Sequence, residues 1–341
     1  MSKINKILYV AFKYEYGKKE NGLALNYKAF FENFIELGYD VDSLFYEDYS
    51  KEDLQLQILN KSENGAYDLI FFILQKDQVD LHTIKKLKES GVFTANFFGD
   101  DQWRFEGFSS YFAPHFSACI TTDKFSIEKY FTVGQSNIIR SQWASLGSDV
   151  EFENINYKYD ISFIGGCNRY RKWFVDTLSE RGINVDCFGR GWDNGRVSYS
   201  EMEDIFAKSK INLNISNSTC YDIRYLLSST KTFLSGIRAI LNSGKDSSQT
   251  KARNFEIPVQ GGFQLTDFVP SLDDYFEIGK EVVCYNSVDE VEKLINYYLS
   301  HDAERESIKL LGIKKAREQH TFKHRIKDFM VKLEEIKINE R

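Results

Sequence analysis

Only three prolines punctuate the 341 residues, and cysteine is nearly as sparse, with five. Cys119, Cys167, Cys187, Cys220 and Cys284 are odd in number, scattered, and without any C-x-x-C spacing. That pattern excludes a disulfide framework or a zinc ribbon and reads as the reduced thiols of a cytoplasmic protein. Long apolar runs are missing as well. The opening MSKINKILYVAF meets Lys13 and Glu15 at once, so it is too short for a signal h-region or a membrane span and fits a first β-strand. No excess of positive charge is present: the net charge of -6 argues against gripping nucleic acid by its backbone, while leaving room for a local basic cleft. Solenoid repeats and low-complexity tracts are absent too.

What is present is an ordinary globular balance, 42% hydrophobic and 28% charged, which excludes a disordered chain. The length suffices for two domains. In the first half, runs of strand length at 6–12, 41–45, 68–74, 93–98, 118–121 and 137–140 alternate with helical spacing at 23–37 and 81–90. The pattern restarts near residue 159, with strands at 160–164, 185–188, 211–215, 263–266 and 282–285. Helices are expected there at 171–181, 200–209, 288–300, 303–319 and 323–338. Such alternation predicts α/β architecture with two parallel, doubly wound sheets. The polar connection 148–159 is the expected boundary.

Ligands of doubly wound sheets bind at the carboxyl ends of strands, and several groups fall there. The richest is the stretch 249–266, QTKARNFEIPVQGGFQLT. A helix over 250–257 would put Arg253 and Glu256 on one face. Ser247 and Ser248 would cap it, leaving amide donors beside Lys251 and Arg253. Amides and cations suit a diphosphate, and a carboxylate suits ribose hydroxyls. Pro258 and Gly261-Gly262 would end the helix. A plain surface helix with solvated charges reads the same residues without a ligand.

Gly165-Gly166 follows a strand, with Asn168, Arg169, Arg171 and Lys172 opening the next helix, a pattern that lets backbone and cations approach phosphate. Gly189 and Gly191 of FGRGW, then Asn214, Ser216 and Asn217, occupy later strand ends; ordinary loop chemistry is the competing reading. In the first half, the loop KYEYGKKENG carries Gly17 and Gly22 but neither the P-loop order nor G-x-G-x-x-G. Asp100 and Asp101 end a strand as paired carboxylates, where mutual repulsion would raise one pKa as a general base requires. Trp103 and Arg104 are candidate lining of an acceptor pocket. His320 and His324 stand four apart without an H-E-x-x-H motif, and no metal role is assigned to them.

The segments KARNFEIPVQGGFQLTDF, NFFGDDQWRF, YDISFIGGCNRYRKWFVDTL and the HTFKHR tail together resemble the CgeB-like (spore-maturation type) glycosyltransferases. The resemblance implies a GT-B fold of two facing Rossmann-like domains. Residues 1–150 would take the acceptor and 157–322 the sugar nucleotide, with a helix at 323–341 crossing back to the first domain. It implies transfer of a sugar from a nucleoside diphosphate, with a preference for uridine, and favours Lys172 over Arg169 at the phosphates. Cations and helix amides would stabilise the departing diphosphate without a metal or other cofactor. The acceptor stays open between a surface glycan, a protein side chain and a modified phage DNA base. One departure matters: retaining enzymes of this fold often carry E-x7-E, and eight residues before Glu256 stands Ser248. A sugar-nucleotide epimerase and a non-catalytic sugar-nucleotide-binding partner are the alternatives.

Overall fold

The computed structural model describes residues 3–151, 155–217, 220–242 and 248–339. It divides the chain into two compact units, Met1–Leu146 with Phe322–Arg341, and Gly147–Thr321.

The first unit is built on a parallel sheet of β1 (Lys6–Ala11), β2 (Asp40–Phe45), β3 (Leu69–Phe72), β4 (Thr94–Phe98), β5 (Ala118–Thr121) and β6 (Ile138–Arg140). Their spatial order is β2-β1-β3-β4-β5-β6. Every residue of β3 (LIFF) and β4 (TANFF) is buried, as expected of strands covered by helices on both faces. One covering element is the helix Phe322–Asn339. Its Phe322, Ile326, Phe329, Met330 and Leu333 recur at helical spacing and join the core of this unit. Phe329 stacks on Phe71 with ring centroids 5.8 Å apart, and Lys337 pairs with Asp68 at 3.1 Å. Each buried aromatic of this kind stabilises the fold by about 1.5–3 kcal/mol.

The second unit holds β7 (Tyr159–Ile164), β8 (Asp186–Phe188), β9 (Ser209–Asn214), β10 (Gln264–Asp267) and β11 (Val283–Tyr285). They form a parallel sheet in the order β11-β10-β9-β7-β8. In each sheet the first strand in sequence has its successor on one side and the third strand on the other: β1 lies between β2 and β3, and β7 between β8 and β9. The winding direction reverses there, which opens a crevice at the carboxyl ends of those strands.

Several helices have no counterpart in the sequence analysis, Ile127–Thr132 among them. The helix Lys51–Asn64 buries only Leu54 and Ile58, too few apolar positions to show a period. The short helix Ile223–Leu227 and the longer Thr230–Asn242 follow β9, in a stretch for which no element was expected.

Candidate functional site

The crevice of the second unit is closed from below by a clamp on the loop that follows β9. Asn168 caps the helix Arg169–Glu180 by accepting from the Arg171 amide at 2.9 Å. The cap aims the Arg171 side chain across the crevice. Its guanidinium donates to the carbonyls of Ile215 (3.0 Å), Gly166 (3.0 Å) and Ser216 (3.4 Å). Lys251 Nζ donates to the same Ser216 carbonyl at 2.7 Å. From the other side Asp267, at the end of β10, accepts the amides of Ser216 (3.0 Å) and Asn217 (3.3 Å). Burial lowers the Arg171 pKa, with Asp267 opposing and the nearby Arg253 charge lowering it further. Burial likewise raises the Asp267 carboxyl, against the pull of the Ser216 and Asn217 donors. Asp267 was missed in the sequence. Its only signal was a carboxylate closing an apolar strand, and its partners lie about fifty positions away.

The segment before β10 departs from expectation. Its helix spans Arg253–Val259, with Ala252 at the N-cap and no side-chain cap. Ser248 accepts from Asn217 Nδ2 at 2.9 Å instead, and Ser247 lies outside the described residues. The Lys251 amide is not an open donor, since it binds Asn254 Oδ1 at 3.0 Å. Pro258 sits inside the helix rather than ending it. A proline there cannot serve the carbonyl four residues back, and Gln264 Nε2 serves that Asn254 carbonyl at 3.1 Å. Gly261 and Gly262 are buried and make the turn out of the helix, Gly262 donating to Ile257 O at 2.9 Å. A Cβ on Gly262 would fall 2.5 Å from Asn212 Nδ2. Packing alone therefore requires the glycine at 262. Arg253 and Glu256 do share a face: they pair at 3.1 Å, with the Glu256 side chain 9% exposed, and the guanidinium lies over Phe206 at 5.2 Å.

The remaining residues divide between surface and scaffold. Gly166 has nothing within 4 Å of a would-be Cβ. Gly165 and Gly189 instead pack on one another: a Cβ on Gly189 would lie 2.4 Å from Gly165 O, which also accepts from Trp192 Nε1 at 2.8 Å. Gly189 is part of that packing. Asn214 is buried, donates to Thr266 Oγ1 at 3.1 Å and accepts from Tyr285 OH at 2.8 Å. It too is scaffold. Lys172 pairs with Asp176 at 2.7 Å in a groove of about 730 Å³ lined also by Arg169, Trp173, Ser229 and Lys231.

In the first unit the adjacent aspartates part company. Asp101 is 1% exposed and accepts from Ser109 Oγ (2.5 Å), Thr121 Oγ1 (2.5 Å) and Tyr130 OH (2.6 Å). Burial raises its pKa to about 6 despite those three hydroxyls, with Asp123 adding a smaller repulsion. A carboxylate so enclosed ties β4, β5 and the neighbouring helices together, and no substrate proton reaches it. Asp100, half-buried at the start of the helix Asp101–Arg104, is the one at the strand end with access. Arg104 donates to the Gln75 carbonyl at 2.5 Å and lies 4.1 Å from the Phe108 ring centre. Gly22 closes the loop 13–22 by accepting from the Glu15 amide at 3.0 Å. His320 is packed among Phe255, Tyr275 and Phe276, with Nε2 2.8 Å from the Tyr275 carbonyl.

Residues 169–331 match a family model described as glycosyl transferase-like. No curated protein sequence matches the chain. Among solved structures, HepE of Anabaena in complex with UDP and glucose superposes with a TM-score of 0.62 at 12% identity, over 97% of this chain and 100% of its own. A glycosyltransferase from Rickettsia africae gives 0.60 at 8% identity, over 98% of each chain. The fold is GT-B. A third GT-B relative, the pneumococcal O-GlcNAc transferase GtfA in complex with UDP and GlcNAc, gives 0.54 at 10% identity, over 84% of this chain and 60% of its own. The family match begins at the helix that carries Arg171 and takes in Lys251, Arg253, Glu256 and Asp267. Residues 1–168 carry the GT-B likeness through fold alone.

Proposed function

We propose that the chain is a glycosyltransferase of the CgeB-like type that moves a sugar, a hexose or a relative, from a UDP-linked donor to an acceptor. The observation that carries the reading is the cationic crevice between β7 and β9, where Arg171, Lys251 and Arg253 gather beside the open Gly166. Asp267 is buried beneath and Glu256 is held by Arg253, so the crevice favours an anion. A diphosphate there would meet cations fixed before it arrives, which is the condition for stabilising a leaving group as charge develops on it. Glu256, one helical turn from Arg253, would accept from the ribose hydroxyls. The presence of UDP in the HepE and GtfA complexes supports the same ligand here. Asp100 is the proposed base for the acceptor hydroxyl. Five unpaired cysteines fit a cytoplasmic setting. No helix among the described residues is long and apolar enough to cross a membrane.

Thermal-shift titration with UDP, GDP, ADP and their sugars tests the reading, since a ligand bound by the folded state alone raises the melting temperature. UDP or a UDP-sugar should give the largest shift. No shift with any nucleoside diphosphate would sink the proposal. A second reading, a binder without turnover, draws on Ser248, which stands where retaining enzymes often place a glutamate and is engaged with Asn217. It predicts that UDP-sugar binds but is not consumed.

A further inference from the structure

Tyr16 is held in a backbone conformation that tyrosine avoids, with the residue 74% exposed to solvent. Its φ of 55° and ψ of 27° fall in the left-handed region, where a side chain crowds its own backbone. Gly17 follows it there with φ 70°. The loop imposing this geometry is fastened along its length. Glu47 Oε1 accepts the amides of Lys13 (2.9 Å) and Tyr14 (2.8 Å). Tyr14 and Leu23 form an antiparallel bridge, flanked by hydrogen bonds from Glu15 N to Gly22 O (3.0 Å) and from Ala24 N to Lys13 O (2.8 Å). Asn21 Nδ2 reaches back to the Glu15 carbonyl at 3.2 Å. Glycine would adopt this backbone without strain. The chain instead carries a large amphipathic ring, turned out to water at the carboxyl end of β1, where the winding of the first sheet reverses. Strain retained in a fastened loop at a strand's carboxyl end is a mark of a ligand contact.

We propose that Tyr16 is a stacking platform for the sugar ring of a carbohydrate acceptor, an inference that rests on the glycosyltransferase reading. A pyranose has an apolar C–H face and a rim of hydroxyls; a phenol offers an apolar face and one hydroxyl at its edge. The match is face to face for packing and edge to edge for hydrogen bonds. A nucleobase would also stack on such a ring, but the chain's net charge of -6 disfavours a nucleic-acid strand.

The test uses saturation-transfer NMR with the full chain and the methyl α- and β-glycosides of glucose, galactose and N-acetylglucosamine. At least one glycoside should receive saturation from wild type and from Tyr16→Phe. In Tyr16→Gly its affinity should fall at least ~10-fold, while the melting temperature stays level or rises because the strain is gone. UDP affinity, measured by calorimetry on the same samples, should be equal in all three. The inference is overturned if no glycoside binds a wild-type protein that binds UDP, or if glycoside binding survives Tyr16→Gly intact. It is overturned as well if only an oligothymidylate probe, added in parallel, depends on Tyr16. If UDP fails to bind wild type, the fault lies with the functional reading and not with the platform.

Discussion

The carboxyl edges of the two sheets are built in opposite ways. In the first unit, carboxylates are drawn inward onto hydroxyls, as Asp101 is onto Ser109, Thr121 and Tyr130 and Asp123 is onto Ser126. In the second, cations are drawn inward onto backbone carbonyls, as Arg171 and Lys251 are around Ser216. The first edge hides negative charge and leaves Asp100 and Tyr16 at its surface. The second edge concentrates positive charge where the backbone turns. Sheets of the same kind thus offer two chemistries, a carboxylate and an exposed phenol at the first edge and a cluster of cations at the second. The difference lies in what each loop uses to hold itself in place.

The largest effect that would sharpen this contrast concerns Asp101. Its folded pKa, about 6, lies above the ordinary aspartate value, so its contribution to stability is fully present below about pH 4 and is lost as pH rises through 6. Relative to Asp101→Asn, wild type should lose about 3 kcal/mol of unfolding free energy between pH 3 and pH 8. Denaturant melts of both proteins across that range measure it. A difference that does not change with pH would mean the carboxylate is well solvated after all. Next comes Asp100→Asn, expected to lower turnover at least ~100-fold, the usual scale for losing a general base, with UDP-sugar affinity nearly intact. Full turnover in that variant would remove the first edge from the chemistry.

On the second edge, Arg171→Lys keeps the charge but cannot span three carbonyls with one ammonium. We expect a loss of about 2 kcal/mol, roughly 30-fold in the unfolding equilibrium, read from the denaturation transition of the second unit. An unchanged transition would show that the clamp is redundant. The smallest effect is expected for Glu256→Gln. Affinity for a ribonucleoside diphosphate should fall about 10-fold, or 1.4 kcal/mol, and the deoxyribose analogue should lose less. Equal losses by calorimetry would reduce Glu256 to an intrahelical partner of Arg253.

The fold was legible because parallel strands buried on both faces appear as short apolar blocks. The block at 118–121 coincides with β5, and those at 160–164 and 282–285 fall within a residue of β7 and β11. The helix Lys51–Asn64 was not legible, since burying two residues leaves no periodicity. Within the candidate site, the kinship of Arg253 and Glu256 followed from spacing alone, because residues three apart on a helix share a face. The helix boundary did not, because it depends on Gln264 rescuing a carbonyl ten positions earlier. The split between Asp100 and Asp101 was hidden for a similar reason. Adjacent residues at a strand end point in different directions, and which one is enclosed depends on Thr121 and Tyr130.

The helix Phe322–Asn339 belongs to the first unit although the whole of the second precedes it in the chain. On a ribosome, then, the first sheet emerges long before the strip that covers it is translated. Until synthesis reaches Phe329 and Met330, the aromatic surface they pack against, with Phe30, Phe34 and Phe71 in it, is exposed to the other contents of the cell. Nascent chains with such uncovered apolar faces aggregate or recruit chaperones. A product terminated just before residue 322 would keep both sheets and every cation of the crevice, yet lack the segment that completes its first core. Completion of the first core therefore waits until the second unit has been translated in full.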